Sequence, residues 1–152
     1  MNWQNLACAI MAFFLLALAP QARAQVGENM LEAHRVLQVV EGDLVSLNQF
    51  ADDCFLKTSR SMGKDESLAM LSFQAGTLDL GFKVGVTQSM VMVSRGEYVS
   101  GNDATLDIII LLLESRGKTP TQFVEEMLPI IANRATALKA QQVVFERNLC
   151  AK

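Results

Sequence analysis

The sequence predicts an all-α protein, a compact bundle of about four to five helices tied by one disulfide bond. Apolar residues recur at steps of three and four over three long segments, which is the period of one face of a helix. No pair of strand-like segments joined by hairpin turn residues occurs in the sequence. Two cysteines, Cys54 and Cys150, would remain after removal of an N-terminal signal peptide, and an even pair favours a bridge.

Length and composition limit the class of protein. The 152 residues are the usual size of one domain. A hydrophobic content of 51%, with only 9 glycines and 3 prolines, excludes a disordered or collagen-like chain. The formal net charge of −3 argues against nucleic acid as a partner, because phosphate binding requires a basic surface.

Residues 1–24 are predicted to be a secretory signal peptide. The run from Leu6 to Ala19 is apolar and uncharged, and Ala22 and Ala24 provide the small residues of a cleavage site. The run is shorter than the roughly 20 residues that cross a bilayer comfortably. An uncleaved anchor or a buried helix is the alternative interpretation.

Cleavage would leave residues 25–152 as a single helical domain in the periplasm, without a permanent membrane span. Cys8 would leave with the signal peptide, and Cys54 and Cys150 would remain. An even pair in an oxidising compartment favours a disulfide. Closing a loop of roughly 100 residues stabilises the fold by about 4–5 kcal/mol in the chain-entropy model. Two free thiols, or a bond between two chains, are the alternatives.

The first helix of the domain is expected from about Glu28 to Lys57. One row of apolar or small residues is flanked by a polar row, which is typical of an amphipathic helix with one buried face. Gly42 costs about 1 kcal/mol relative to Ala in a helix, so a break at this residue stays open. The row consists of Met30, Ala33, Leu37, Val40, Leu44, Leu47, Ala51 and Cys54.

The second helix is expected after a turn at residues 61–64, with Asp65 as N-cap and Glu66 in its first turn. The small residues Ala75, Gly76, Gly81 and Gly85 are expected to let another helix approach closely, and a split of the helix near Gly81 stays open. Its apolar row consists of Leu68, Leu71, Ala75, Leu78, Phe82, Gly85, Ser89 and Met92.

A loop over residues 95–102 precedes a short third helix that ends near Arg116. Asn102 or Asp103 is expected to cap it. Residues 108–113 are apolar all round, so this helix is expected to lie in the core. A buried strand is the competing interpretation, and the cap favours the helix.

The last helix has a well-specified start. Thr119 fits the N-cap, Pro120 the first helical position and Gln122 the third position of a capping box. Pro129 removes one backbone donor, and we expect it to bend the helix rather than break it. The apolar row consists of Val124, Leu128, Ile131, Ala135, Leu138, Gln142, Phe145 and Leu149.

The sequence predicts no catalytic, cofactor or metal site. His34, the only histidine, falls on the polar side of the first helix, where a surface histidine is the simpler interpretation. Zinc requires three or four ligands, which one histidine and two paired cysteines do not supply. The acid pairs at 52–53 and 125–126 are adjacent in sequence, and adjacent residues do not face each other on a helix.

Arg95 and Tyr98 are the candidate partner contacts. They lie in the predicted loop at one end of the bundle, and Tyr and Arg are enriched at binding hot spots. We therefore expect an exported, non-enzymatic module that binds another periplasmic protein, and a homodimer stays open.

Two other functions are weighed against this expectation. A carrier of a small molecule or lipid would need a cavity between the helices, with methionines and a phenylalanine as its lining. An enzyme would need acids from separate helices, such as Asp79 and Glu126, to meet in one pocket. The lining of the carrier cavity would come from Met70, Phe73, Met90, Met92 and Met127.

The order of features between Leu47 and Cys150 resembles a known family. A cysteine in an early helix is followed by an aromatic-x-x-Gly pattern with an acid three residues later, Phe73 to Asp79. A short apolar helix over residues 107–113 follows, and Thr119-Pro120 opens a last helix that ends at a cysteine. This layout is similar to the small helical periplasmic immunity proteins that neutralise type VI secretion amidase effectors. The resemblance implies a structural disulfide and the blocking of an effector enzyme without catalysis.

Overall fold

The computed structural model describes the backbone of residues 3–151 and the side chains of residues 25–151. These residues contain no strand and form four helices, α1 (Trp3–Thr58), α2 (Lys64–Ser94), α3 (Ala104–Ser115) and α4 (Pro120–Asn148). The predicted all-α bundle of four to five helices is confirmed. The predicted signal peptide, residues 1–24, lies outside the residues whose side chains are described.

The three long helices α1, α2 and α4 pack against one another. Asp43 forms an ion pair with Lys139, and Cys54 is bonded to Cys150 at a sequence separation of 96. Both pairs have the same offset along the chain, so α1 and α4 run parallel. The α2 helix runs antiparallel to both, since contacts with later residues of α1 fall on earlier residues of α2.

The disulfide closes the end of the bundle where α1 and α4 stop. The Cα atoms of Cys54 and Cys150 are 5.3 Å apart, within the usual range for a bridge. Beside it, Phe73 of α2 contacts Phe50 of α1 and Phe145 of α4 edge to face, with ring centroids 5.8 and 5.5 Å apart. The predicted intramolecular disulfide is confirmed, and each of the three long helices contributes one ring to the core below it.

The α1 helix follows its prediction closely. All eight residues of its apolar row, from Met30 to Cys54, are buried. The helix passes through Gly42 without a break, and it begins upstream of Glu28.

The α2 helix corrects two predictions. Its N-cap is Gly63 rather than Asp65, and the Gly63 amide donates to Glu66 Oε2 at 3.0 Å. The apolar row expected in the core faces outward instead, with Leu78 and Phe82 about 70% exposed (73% and 69%). The helix is continuous through Gly81.

A second row of α2 fills the core. Its largest members, Met70, Phe73, Leu80 and Met90, are almost fully buried. Thr77 and Thr87 are also buried, and their hydroxyls donate to the carbonyl oxygens of Gln74 and Lys83 in the same helix. These bonds satisfy the buried hydroxyls, which would otherwise be costly to desolvate.

The α3 helix lies on the surface rather than in the core, which corrects the expectation for its all-apolar run. Leu106 and Leu113 are its buried residues. The three long helices already fill the interior, so a 12-residue helix between two loops packs one side only. Its predicted cap is confirmed, since the Asp103 carboxylate accepts from the amides of Thr105 and Leu106.

The α4 helix begins as predicted. Thr119 Oγ1 accepts from the Gln122 amide at 3.2 Å, and Gln122 Oε1 accepts from the Thr119 amide at 2.9 Å. The helix continues through Pro129. Five of the eight residues of the predicted row are buried, and three are half-buried, namely Leu128, Gln142 and Phe145.

Close helix packing occurs at Gly76, not at Gly81 or Gly85. A Cβ atom on Gly76 would lie 2.7 Å from Arg134 Nη2 and 3.1 Å from Leu138 Cδ2 of α4. A Cβ atom on Gly81 or Gly85 would meet nothing within 4 Å. The expected close approach is thus confirmed at Gly76, whereas Gly81 and Gly85 take no part in it within the bundle.

Candidate functional site

The most unusual surface of the bundle is the outer face of α2, which we call the α2 seam. Its large side chains are half to three-quarters exposed, although they are apolar. Scattered exposed apolar residues are normal, but a continuous apolar row marks an interaction site. The seam consists of Leu68, Leu71, Ala75, Leu78, Phe82, Gly85, Ser89 and Met92.

The seam has the regular spacing of a coiled coil. Its residues alternate steps of three and four over the whole helix, which is the pattern that packs one helix along another. Eight residues lie directly beside the seam, four on each side of the helix. Asp79 is the only charged one among them, and it forms an ion pair with Lys83 one turn later. The other seven border residues are Ser67, Ser72, Gln74, Gly81, Val86, Gln88 and Val93.

A second apolar surface, the α3 patch, consists of Ile108, Leu111 and Leu112 on the outer side of α3. These side chains are 53–63% exposed. A shallow groove of about 240 Å³ separates α3 from the α2 seam. Phe82, Gly85 and Ser89 line one wall of the groove, and Thr105 and Ile109 line the other. The α2 seam thus borders α3, the helix that carries the patch.

The predicted contact residue Tyr98 fastens the loop before α3. Its hydroxyl donates to Asp107 Oδ1 at 2.9 Å and lies 3.1 Å from the Asp103 carbonyl oxygen. Ser100 Oγ and the Gly101 amide also donate to the Asp107 carboxylate, at 3.0 and 2.9 Å. The loop is therefore tied to α3 through one carboxylate.

This network shifts the pKa of both side chains. The hydrogen bond from Tyr98 is the main cause that lowers the pKa of Asp107, and the donors Gly101 and Ser100 add to it against the opposing effect of desolvation. Desolvation, followed by the hydrogen bond to Asp107, raises the pKa of Tyr98. Both shifts favour an ionised Asp107 beside a neutral Tyr98.

The other predicted contact, Arg95, forms an ion pair with Glu97 at 2.8 Å. Arg95 is exposed and Tyr98 is half-buried. Both lie in the loop that leads into α3, and Val99 in the same loop is 65% exposed. The structure thus places Tyr98 against α3, the helix that carries the exposed patch, which the sequence did not single out.

The residues weighed for catalysis or carriage take ordinary places. Asp79 pairs with Lys83, and Glu126 pairs with Lys118. Within residues 25–151, no three His, Cys, Asp or Glu side chains are grouped as metal ligands would be. Met70, Phe73 and Met90 are buried in the core, Met127 is half-buried, and Met92 belongs to the seam.

In the part of the chain that the structure describes, no helix has a stretch long and apolar enough to cross a bilayer. No family model, curated protein or solved structure matches this chain. The surfaces are therefore interpreted from their geometry and chemistry.

Sequence reasoning did not identify the α2 seam and the α3 patch as exposed surfaces. The sequence assigns both to the core because their residues are apolar. One signal in the sequence does point to a surface: α2 carries two apolar rows, and a helix on the rim of a three-helix core buries one of them.

Proposed function

We propose that this chain is an exported, non-enzymatic module that binds another protein through the α3 patch and the loop beside it. The proposal rests on the exposure of Ile108, Leu111 and Leu112 on a helix whose other side is anchored. Aliphatic residues clustered on a surface gain free energy when a partner removes them from water. The polar loop around Tyr98 would supply the rim of such an interface.

Export of the chain is supported by two features. The N-terminal segment has the pattern of a secretory signal peptide. The Cys54–Cys150 bridge is of the kind that persists in an oxidising compartment such as the periplasm. In this proposal residues 25–152 are the mature protein.

The specific form that we propose is an immunity or inhibitor protein against a secreted cell-wall amidase. The support is the resemblance in the order of helices, cysteines and the Phe73-to-Asp79 pattern. Such a protein needs a rigid body and a contact surface, and no catalytic groups of its own.

Variants of the α3 patch test the general proposal. The double variant Leu111→Lys/Leu112→Lys places two charges on outward positions, so the fold should persist. Leu56→Lys is the matched control, since Leu56 is 77% exposed on α1, which lines neither wall of the groove. We expect wild type and control to retain one stoichiometric partner from a periplasmic extract, and the double variant to lose it. Equal recovery with all three proteins would contradict the proposed surface.

An amidase assay tests the specific form. The effector used is a cell-wall amidase encoded beside this chain, because an immunity protein is expected to travel with its effector. We expect purified wild-type protein to abolish peptidoglycan hydrolysis at equimolar ratio, and the double variant to leave it active. Undiminished hydrolysis with the wild-type protein would reject the immunity role while leaving the capture experiment to judge the general one. Native mass spectrometry that finds a bound lipid or small molecule instead would favour the carrier.

A further inference from the structure

The α2 seam calls for an explanation that the α3 patch does not give. Its three leucines and one phenylalanine are each more than half exposed, namely Leu68, Leu71, Leu78 and Phe82. The bundle gains nothing from placing them in water. We propose that the seam is the contact surface of a homodimer, in which α2 of one copy packs antiparallel along α2 of a second copy.

The size of the surface fits this occupant. The seam extends over 25 residues of helix from Leu68 to Met92, about 36 Å at 1.5 Å per residue. Its exposed side chains present several hundred Å² of apolar area, the scale of an interface core, while a stable interface buries about 800 Å² on each partner. The serines and glutamines that border the seam would supply the polar rim.

Three of the four layers of the seam match by size in an antiparallel pairing. With a two-fold axis near residue 80, Leu78 lies opposite Phe82 of the second copy, and Leu68 lies opposite Met92. Ala75 lies opposite Gly85, which lets the two backbones approach on either side of the large central pair. The remaining layer sets Leu71 opposite Ser89, at the groove beside α3. Leu71 of the second copy would fill this groove.

The charge along the seam also allows a second copy to bind. Self-pairing brings each residue close to its own kind, so a charged border would repel itself. Here Asp79 is the single charged border residue, and Lys83 of the same helix neutralises it.

Gly85 fits a closely packed second helix. A glycine inside a helix costs about 1 kcal/mol relative to Ala. Within one copy, no atom lies close enough to require the missing side chain, since a Cβ atom there would meet nothing within 4 Å. In the dimer, a second helix packed on the seam would leave little room for a side chain at Gly85.

Sedimentation velocity of the full chain, purified after export, tests the dimer. We expect a dimer at micromolar concentration, and a dissociation constant at least about 100-fold higher for Leu78→Lys/Phe82→Lys, as for loss of a central hot spot. Circular dichroism verifies that the variant stays helical. Leu56→Lys and the α3 double variant are controls that should dimerise normally. A wild-type protein that remains monomeric at 100 µM, or a dimer that the seam variant leaves intact, would overturn the proposal.

Photo-crosslinking tests the direction of the two helices. The crosslinking residue p-benzoylphenylalanine replaces Ser72, which borders the seam and is exposed. In the antiparallel pairing, position 72 is nearest position 86 of the second copy, which borders the seam on the same side, so the crosslink joins the tryptic peptide 84–95. A crosslink to peptide 65–83 would indicate parallel helices and contradict the proposed arrangement. Loss of the α3 partner in the capture experiment does not affect either result, so the two proposals fail separately.

Discussion

Helices α1 and α2 carry rows of the same spacing, and the structure treats them in opposite ways. The row on α1 lies entirely in the core, and the row on α2 lies entirely on the outside or at its edge. The difference lies in the neighbouring rows. On α1 one row beside the buried face is polar, from His34 to Asp52, whereas α2 offers a second apolar row with Met70, Phe73 and Leu80. An apolar period therefore identifies a buried face only when the helix has a single apolar face.

Truncation of one leucine in each row is expected to give the largest difference between the two helices. We expect Leu37→Ala, at a fully buried site, to lower the free energy of unfolding by about 2–5 kcal/mol, because it leaves a cavity. Leu78→Ala, at a site 73% exposed, should change the unfolding free energy of the monomer by less than about 0.5 kcal/mol. Urea unfolding in dilute solution measures both. Equal losses would mean that the row on α2 is buried after all.

Glycine substitution gives the next largest effect. A Cβ atom on Gly42 of α1 would meet nothing within 4 Å, so Gly42→Ala should raise the unfolding free energy by about 1 kcal/mol. Gly76→Ala should gain clearly less, because Arg134 must move and Leu138 lies 3.1 Å from the new Cβ. Thermal melts of the two variants compare them directly. A larger gain at Gly76 would contradict the close approach of α2 and α4.

The smallest effect concerns the loop that leads into α3. Tyr98→Phe removes the hydrogen bond that contributes most to lowering the pKa of Asp107, so this pKa should rise. A carboxyl whose pKa is lowered by folding stabilises the fold above its unfolded pKa, near pH 4, and loses that contribution as the pH falls through its folded pKa. The variant should therefore lose less stability on acidification than wild type. Carboxyl NMR titration of Asp107 measures the shift, and identical titration curves would exclude the Tyr98 bond as its cause.

The sequence predicted the cap of α4 correctly because a cap rests on local chemistry. It predicted the fold class and the disulfide correctly because an apolar period and an even pair of cysteines do not depend on the details of packing. Thr119, Pro120 and Gln122 specify a helix start whatever lies around them. Which faces of α2 and α3 are buried cannot be predicted in this way, because it depends on how many other helices already surround the core. Thr77 and Thr87 are polar in the sequence, yet their hydroxyls bond to their own helix and can be buried.

The candidate surface was predictable only in part. Arg95 and Tyr98 pointed to the loop beside α3, but the hydroxyl of Tyr98 is used to fasten that loop. Residues 108–113 looked like core because six apolar residues in a row carry no sign of which side faces water. Only the three-dimensional arrangement reveals that Ile108, Leu111 and Leu112 point away from the bundle.

The parallel course of α1 and α4 has a consequence for the order of assembly. Their contacts join residues 96 positions apart, as at Cys54 and Cys150. During synthesis, Cys54 must wait until nearly the whole domain has followed it before its partner sulfur exists. Oxidation of this pair is therefore a late event, and a gel-shift assay for the closed bridge would report arrival of the final helix rather than the first collapse of the chain.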